Sequence, residues 1–505
     1  MIDDLISRQD SLVHRTESRR VFESVVREPE QRELLGQFFT PAPVAALLAE
    51  AFERRSGLIR VLDPGAGVGS LTAALVNRTA AEGWRSSLHV TAVEMDEGLL
   101  PSLRETLHEC EGSADVTTRI VGGDFIDWAC CRLDRGLFAG EPEFFDFAIL
   151  NPPYRKLNTA TRERRMLSEI GIEATNLYAA FVALSLRLLS PGGQLVAITP
   201  RSFCNGPYFK AFRKELLGTA SLNRIHLFDS RDLAFRDTSV LQENVIVHLV
   251  KGGDQKSVVI SSSGGEAGGA SSEREVAFGS VVHDGDKESF IRIVSDVDQC
   301  GVADSIGSLP CTLASAGFSV STGRVVDFRS KDNLRADPEA GSVPLIYPAH
   351  LRGGRVRWPI LGSKKANALA VNNETRNLLL PMGNYVLVKR FSSKEERRRV
   401  VATVLEVVDL PYDFVAIENH VNVVHVRNAG LELVLARGLA TFLNSTVVDM
   451  YFRQFNGHTQ VNATDLRSLR YPSVLTLSEM GGECNGNALD QATIDSIIDR
   501  HVLTD

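Results

Sequence analysis

Ile59-Arg60-Val61-Leu62-Asp63-Pro64-Gly65-Ala66-Gly67-Val68-Gly69-Ser70 reads as a short apolar strand that ends on an acid, turns through three alternating glycines and opens directly into a helix. Glycines at such a turn let a ligand approach the main chain closely, and the helix start faces the carboxyl edge of the sheet, where ligands bind. Outward from this turn, short apolar runs at 59–62, 88–93, 117–121, 145–150, 194–198, 223–228 and 245–250 alternate with helical stretches such as 70–81, 97–110, 176–189 and 208–217. That alternation predicts an α/β fold, a doubly wound seven-stranded mixed sheet with right-handed crossovers. No helix separates the last two strands, so an antiparallel hairpin is expected at that edge. Before the sheet, Thr40 and Pro41 start a helix with Val44, Leu47, Leu48 and Ala51 on one face, Thr40 being the expected cap. Residues 1–35 are polar and read as an arm of short helices. Glycines and serines crowd residues 253–273, which are expected to be a linker between a first domain at 36–252 and a second, mixed α+β domain at 274–475. Residues 476–505 read as a polar tail with a short helix.

The strand ends carry the chemistry. Asp63, Glu94, Asp124 and Asn151 are spaced 31, 30 and 27 residues apart, one βα unit each time, which brings all four to the same edge of the sheet. The GxGxG turn alone does not separate a dinucleotide site from an S-adenosylmethionine site. The fourth strand runs into Asn151-Pro152-Pro153-Tyr154. An aryl amine is a poor nucleophile because its lone pair is delocalised into the ring. The Asn151 side-chain oxygen and the Pro152 carbonyl are placed to accept one amino proton each, which favours a tetrahedral nitrogen aimed at a methyl donor. Pro152 and Pro153 stiffen the turn and remove competing N–H donors, and Tyr154 is suited to stack on a base swung out of a duplex. This chemistry serves adenine and cytosine alike.

Gly36-Gln37-Phe38-Phe39-Thr40-Pro41, the glycine turn, Glu94, Asp124-Phe125 and the Asn-Pro-Pro-Tyr tetrapeptide occur in the order seen in γ-class adenine-N6 DNA methyltransferases. The chain resembles the modification enzymes of type II restriction–modification systems, motif by motif over residues 34–250 and more loosely to 475. The resemblance implies the S-adenosylmethionine-dependent methyltransferase fold, S-adenosyl-L-methionine as cofactor, double-stranded DNA as substrate, and a target-recognition domain at 274–475. It favours adenine, because Asn rather than Ser opens the tetrapeptide. It also implies a cognate restriction endonuclease acting on the same sequence without a stable complex. By the same resemblance Phe38, Phe39 and Thr40 close over the methionine part of the cofactor, and Asp63, Gly65 and Gly67 line it. Glu94 holds the ribose, and Asp124 with Phe125 the adenine. Phe235 is the best match to the aromatic that sandwiches the flipped base, with Phe228 as the other candidate.

Formal net charge is −8, yet residues 301–475 hold 21 Lys plus Arg against 15 Asp plus Glu, a local +6 that leaves −14 elsewhere. An acidic half joined to a basic half fits a cofactor domain beside a polyanion-reading one. The candidate DNA contacts are Arg355, Arg357, Lys389 and Arg390, with Arg352, Lys364, Lys365 and Arg397–Arg399 nearby, and the amide-rich stretch containing His458, Gln460 and Asn462. Arg155 and Lys156 begin a basic segment, through Arg165, that reads as a solvated loop able to order on phosphates. The seven cysteines include no CxxC pair, and His420 and His425 lack a third ligand, so no metal is expected. No apolar run reaches the roughly 18 residues of a membrane span, and the expected setting is the cytoplasm. Protein-glutamine and ribosomal RNA methyltransferases use the same tetrapeptide, but generally without the Phe38–Pro41 segment or a second domain of this size. A non-catalytic DNA-specificity subunit would not be expected to keep every cofactor motif filled.

Overall fold

The computed structural model describes residues 11–27, 39–134, 144–158, 160–228, 243–263, 272–293, 300–392, 396–455, 460–484 and 489–503. The chain divides into two compact units, Met1–Ser295 and Asp296–Asp505.

In the first unit, strands β1 (Gly57–Pro64), β2 (Ser86–Glu94), β3 (Val116–Gly122), β4 (Phe145–Leu150), β5 (Leu189–Pro200), β6 (Ala220–Phe228), β7 (Asn244–Lys251), β8 (Val258–Ser263) and β9 (Ser272–Val276) form one sheet. Its order is β3-β2-β1-β4-β5-β7-β6-β8-β9. Strands β1 to β5 pair in parallel, whereas β7 runs antiparallel to both β5 and β6. All seven expected strands are present, and the β6–β7 hairpin folds back so that β7 lies inside the sheet rather than at its edge. Side chains alternate along β4: Phe147 and Ile149 enter the core on one face, Ala148 and Leu150 the core on the other. Such burial on both faces is what a central parallel strand requires.

The linker expected at 253–273 is a correction. Strand β8 pairs in parallel with β6, and β9 closes the sheet antiparallel to β8. Val258 and Ile260 are buried, while Ser261 and Ser263 hydrogen-bond the two ring nitrogens of His226 at 3.0 and 3.1 Å. The serines are thus the polar face of a strand, and the first unit ends near residue 295 instead of 252.

Helices α1 (Leu12–Val26), α2 (Ala42–Glu50), α3 (Ser70–Ala81), α4 (Leu100–Ser113), α5 (Phe125–Leu133), α6 (Arg162–Glu169), α7 (Leu177–Leu188) and α8 (Lys210–Thr219) belong to this unit. The expected arm of short helices contains one 15-residue helix, α1, capped by Ser11. Helix α2 starts as expected, but Pro41 occupies its N-cap position and Thr40 makes no cap bond. The basic segment expected as a loop after Tyr154 contains α6, anchored by buried Leu167 and by Arg162 on Asp127 at 2.9 Å.

The second unit carries a six-stranded sheet, in order Ser319–Thr322, Val421–His425, Tyr385–Lys389, Ala402–Leu405, Arg355–Val356 and Leu351–Arg352. A five-stranded sheet runs Leu334–Arg335, Ala368–Ala370, Ser342–Ile346, Phe414–Ile417 and Leu379–Pro381. Helices α9 (Leu433–Leu443), α10 (Thr446–Phe455), α11 (Ala463–Ser468), α12 (Val474–Glu483) and α13 (Gln491–His501) pack beside them. The tail expected at 476–505 is another correction: Leu477, Met480, Ile497 and Ile498 are buried in the core of this unit, held there by the apolar faces of α12 and α13. No single described helix is long and apolar enough to cross a membrane.

Candidate active site

The carboxyl ends of β1, β2 and β4 open onto a cleft of about 770 Å³, counting the open solvent at its mouth. Among the candidates from sequence, Phe39, Thr40, Gly65, Gly67, Glu94, Phe125, Asn151 and Pro153 line it. The glycine turn is built for close approach. Gly65, Gly67 and Gly69 all have positive φ, at 74°, 59° and 86°, where a side chain is strained. A Cβ at Gly65 would stand 3.6 Å from the Phe181 ring, and one at Gly67 3.6 Å from Phe39, in ordinary contact, so a side chain at either position would take up space between the turn and the cleft's aromatic walls.

Glu94 ends β2 at only 4% exposure. Its Oε2 accepts the Gly67 N–H and its Oε1 the Asp96 N–H, both at 2.8 Å. Burial nonetheless holds its carboxyl above the usual range. Asp63 does not reach the cleft. It is fully buried beneath the turn, where its Oδ2 accepts the Thr72 hydroxyl at 2.6 Å and its Oδ1 has no hydrogen-bond partner among the described residues. Burial, with Glu94 nearby, pushes it up to about 7. Asp124 caps α5: its Oδ1 accepts the N–H groups of Ile126 and Asp127 at 2.7 and 3.1 Å, leaving Oδ2. Phe125 is 2% exposed and packs at 4.8 Å on Phe181.

At the end of β4, the Asn151 Nδ2 donates to the Thr40 hydroxyl at 2.8 Å. That bond fixes the position of the amide, with Oδ1 as its other end. The Tyr154 hydroxyl lies 3.4 Å from that oxygen, and its ring meets Tyr178 edge-on at 6.2 Å. Pro152 is buried behind them. Burial pushes the Tyr154 phenol up, so it stays neutral. Arg155 and Lys156 follow in the open, in a segment tied to the start of α7 by the Leu157 N–H to Thr175 and the Leu177 N–H to Arg155, both 2.8 Å.

The residues fit S-adenosylmethionine. The glycine turn leaves room for the ligand against main chain, Glu94 offers a carboxylate for a ribose diol, and Phe39, Phe125 and Phe181 supply flat walls. Sequence reading missed Phe181, Met95, Leu99 and Leu71 as cleft residues. Phe181 sits in a run of apolar residues on α7 that has no polar face to mark its direction. Phe38, Phe235 and His458 lie outside the described residues.

In the second unit Arg352, Arg355 and Arg357 are exposed along one hairpin, while Lys389 and Arg390 end a strand of the same sheet half-buried. Arg399 corrects the expected basic cluster: it is fully buried, with its main-chain N–H on Asp449 at 2.6 Å and its guanidinium on the Ser392 carbonyl. Gln460 bridges to Phe391 through the main chain, and Asn462 stands at the N-cap of α11, its N–H donating to Asp465 at 2.8 Å. A capping role is therefore the one visible for Asn462. Among the described residues, no three His, Cys, Asp or Glu side chains are grouped to hold a metal.

Comparison with known proteins adds the rest. Residues 104–235 match the model of the Eco57I restriction-modification methylase family. The chain is 44% identical to the type II methyltransferase M.PstI of Providencia stuartii over 475 residues, 93% of each chain. It is equally 44% identical to the type II methyltransferase M.BsuBI of Bacillus subtilis, over 93% of this chain and 94% of that one. Among solved structures, the type IIL restriction-modification enzyme MmeI in complex with DNA superposes with a TM-score of 0.54 at 12% identity, covering 88% of this chain and 69% of that one, a likeness of fold. With its cofactor cleft and 44% identity to two such enzymes over nearly its whole length, the chain belongs to the S-adenosylmethionine-dependent type II DNA methyltransferases of restriction–modification systems.

Proposed function

We propose that the enzyme methylates the exocyclic N6 amine of an adenine swung out of double-stranded DNA, at a sequence that a cognate endonuclease would otherwise cut. The observation that carries this reading is the Asn151 amide, held by Thr40 at the mouth of the cofactor cleft in an Asn-Pro-Pro-Tyr turn. The bound cofactor supplies an electrophilic methyl group on a sulfonium. Asn151 Oδ1 and the Pro152 carbonyl accept the two amino hydrogens, which localises the nitrogen lone pair and aims it into the cleft. Tyr154 stacks on the extruded base, with Phe235 as the second aromatic. Glu94 takes the ribose, Phe125 and the free Asp124 oxygen the cofactor adenine, and Phe38, Phe39 and Thr40 the methionine end. Asp63 acts from below by fixing the glycine turn.

The second unit reads the target. Arg355, Arg357, Lys389 and Arg390 neutralise phosphates there, and Arg155 and Lys156 do so beside the extruded nucleotide. His458 and Gln460 reach base edges. That a protein sharing the fold is solved in complex with DNA supports DNA as the substrate. The enzyme acts on genomic DNA in the cytoplasm.

The test is single-molecule sequencing of genomic DNA from an expression host lacking its own adenine methylation. The expected result is N6-methyladenine in one short repeated sequence, abolished by Asn151→Ala while cofactor binding persists. Modified cytosine, or unmodified DNA from cells holding soluble, cofactor-binding protein, would overturn the adenine reading.

A further inference from the structure

Helix α1 ties together two walls of the cofactor cleft, and nothing in the motif pattern assigns it a role. At one end, Glu17 Oε2 accepts the N–H of Ala42, the first residue of α2, at 3.0 Å. Helix α2 has no side-chain cap of its own, because Pro41 occupies its N-cap position. Glu17 supplies that cap from another element, with its negative charge at the positive end of the helix dipole. Buried Arg20 holds Glu17 in place at 2.7 to 3.0 Å. The wall fixed in this way is the one carrying Phe39 and Thr40.

At the other end, Arg27 Nη1 meets Asp96 Oδ2 at 2.5 Å, with both side chains more than four-fifths shielded from solvent. Asp96 belongs to the opposite wall, the loop from Met95 to Leu99. Its N–H donates to Glu94 Oε1 at 2.8 Å, its Oδ1 accepts the Gly98 N–H at 2.9 Å, and its carbonyl accepts the Leu99 N–H at 2.9 Å. Met95 and Leu99 line the cleft. Gly98 gives the guanidinium its room, since a Cβ there would stand 2.9 Å from an Arg27 nitrogen. Between the two ends the helix is fastened to α4: Ser102 donates to Glu23 at 2.6 Å, and Arg15 and Arg19 pair with Glu109.

We infer that α1 is a clamp on the cofactor cleft, in which Arg27 and Glu17 are positioning residues that hold the Glu94–Leu99 loop and the Phe39–Thr40 wall in register for S-adenosylmethionine. The inference rests on the assignment of this cleft to the cofactor, and binding by the unmodified enzyme is the control for that assignment. If the unmodified enzyme fails to bind, the assignment fails; if it binds and the variants bind equally well, the clamp fails.

The test is isothermal calorimetry of S-adenosylmethionine binding to the full chain, without DNA. Arg27→Ala should raise Kd about ten-fold, the size expected for losing a charge-assisted contact. Arg27→Lys should recover most of the loss, and methyl-transfer kcat at saturating cofactor should stay within about two-fold because the reacting groups are untouched. Arg19→Ala loosens the same helix from α4 without touching the loop, and its Kd should remain near that of the unmodified enzyme. Equal effects of Arg19→Ala and Arg27→Ala, or an unchanged Kd in Arg27→Ala, would overturn the clamp. If Arg27→Ala does not fold, Asp96→Asn carries the test. It keeps the shape of the loop and the Oδ1 acceptor of the Gly98 N–H while removing the charge that Arg27 holds, so it should raise Kd in the same direction, and unaltered binding in a folded Asp96→Asn overturns the inference.

Discussion

Two hydroxyls hold the Asn151 amide that the proposed reaction uses. Thr40 accepts from Nδ2 at 2.8 Å and the Tyr154 hydroxyl lies 3.4 Å from Oδ1; because a hydroxyl donates as well as accepts, Thr40 fixes the position of the amide and the two contacts together set its orientation. Thr40→Val keeps the shape and removes the acceptor. The expected outcome is a fall of about ten-fold in the single-turnover methylation rate at saturating cofactor, the worth of one orienting hydrogen bond, with Thr40→Ser near the native rate. An unaffected rate in Thr40→Val would leave the amide orientation to Tyr154. Asp63 makes a different prediction, about pH. Its carboxyl rises from the ordinary 3.8 to about 7 in the fold, so the native state holds the proton more tightly than the unfolded chain. Its favourable contribution is therefore complete below about pH 4 and is lost as pH climbs through 7, a change on the order of 4 kcal/mol at most. Asp63→Asn cannot titrate. Melting temperatures at pH 4.5 and 7.5 should show the variant gaining on the native enzyme as pH rises, and a constant difference would contradict the burial argument.

Among the elements, α9 and α12 cross so closely that only glycine fits. A Cβ at Gly438 would lie 1.8 Å from the Leu477 carbonyl oxygen, and one at Gly481 would lie 1.8 Å from that of Val434. These are main-chain atoms that cannot swing aside, so Gly481→Ala should destabilise the second unit by about 3 kcal/mol or more. Differential scanning calorimetry should show a lowered transition, while cofactor affinity, which belongs to the first unit, stays unchanged. That contact joins residues 43 positions apart and left no trace in the sequence, where Gly481-Gly482 resembled tail composition. The contrast with β1 is instructive. There the glycines follow an apolar run and precede a helix, so the neighbouring residues announce what the glycines do. Strands β1 to β7 were legible because apolar periodicity is a local property. Strand β8 was hidden because Ser261 and Ser263 look like linker until His226 is placed opposite them. The cleft was legible where its lining sits at strand tips, as at Glu94 and Asn151. It was not where a core helix contributes a ring, as at Phe181, or where a distant helix supplies a cap, as Glu17 does.

At the scale of the whole molecule, net charge does not separate the two units, since residues 296–505 hold 22 Lys plus Arg against 23 Asp plus Glu once the acidic C-terminal helices are counted with them. An acidic chain of net charge −8 approaches DNA against its own repulsion, so on the proposed reading affinity rests on local basic clusters and is sensitive to counterions. Log affinity for duplex DNA should fall linearly with log salt, at about 0.9 per phosphate neutralised, and Arg355→Ala or Arg357→Ala should each reduce that slope by about one. Slopes indistinguishable from the native value, measured by fluorescence anisotropy across a salt series, would remove those two arginines from the interface. The last two strands of the catalytic sheet bear on how such an enzyme can be altered. Where β8 and β9 meet, the hydroxyls of Ser262 and Ser272 are 2.8 Å apart, so the chain leaves the ladder and rejoins it at one point. The entropy of closing a loop grows only logarithmically with its length. This junction is therefore a natural graft point: a reporter or an entire guest domain spliced between Ser263 and Ser272 would cost little in loop-closure entropy, with the β8–β9 ladder holding the two ends together.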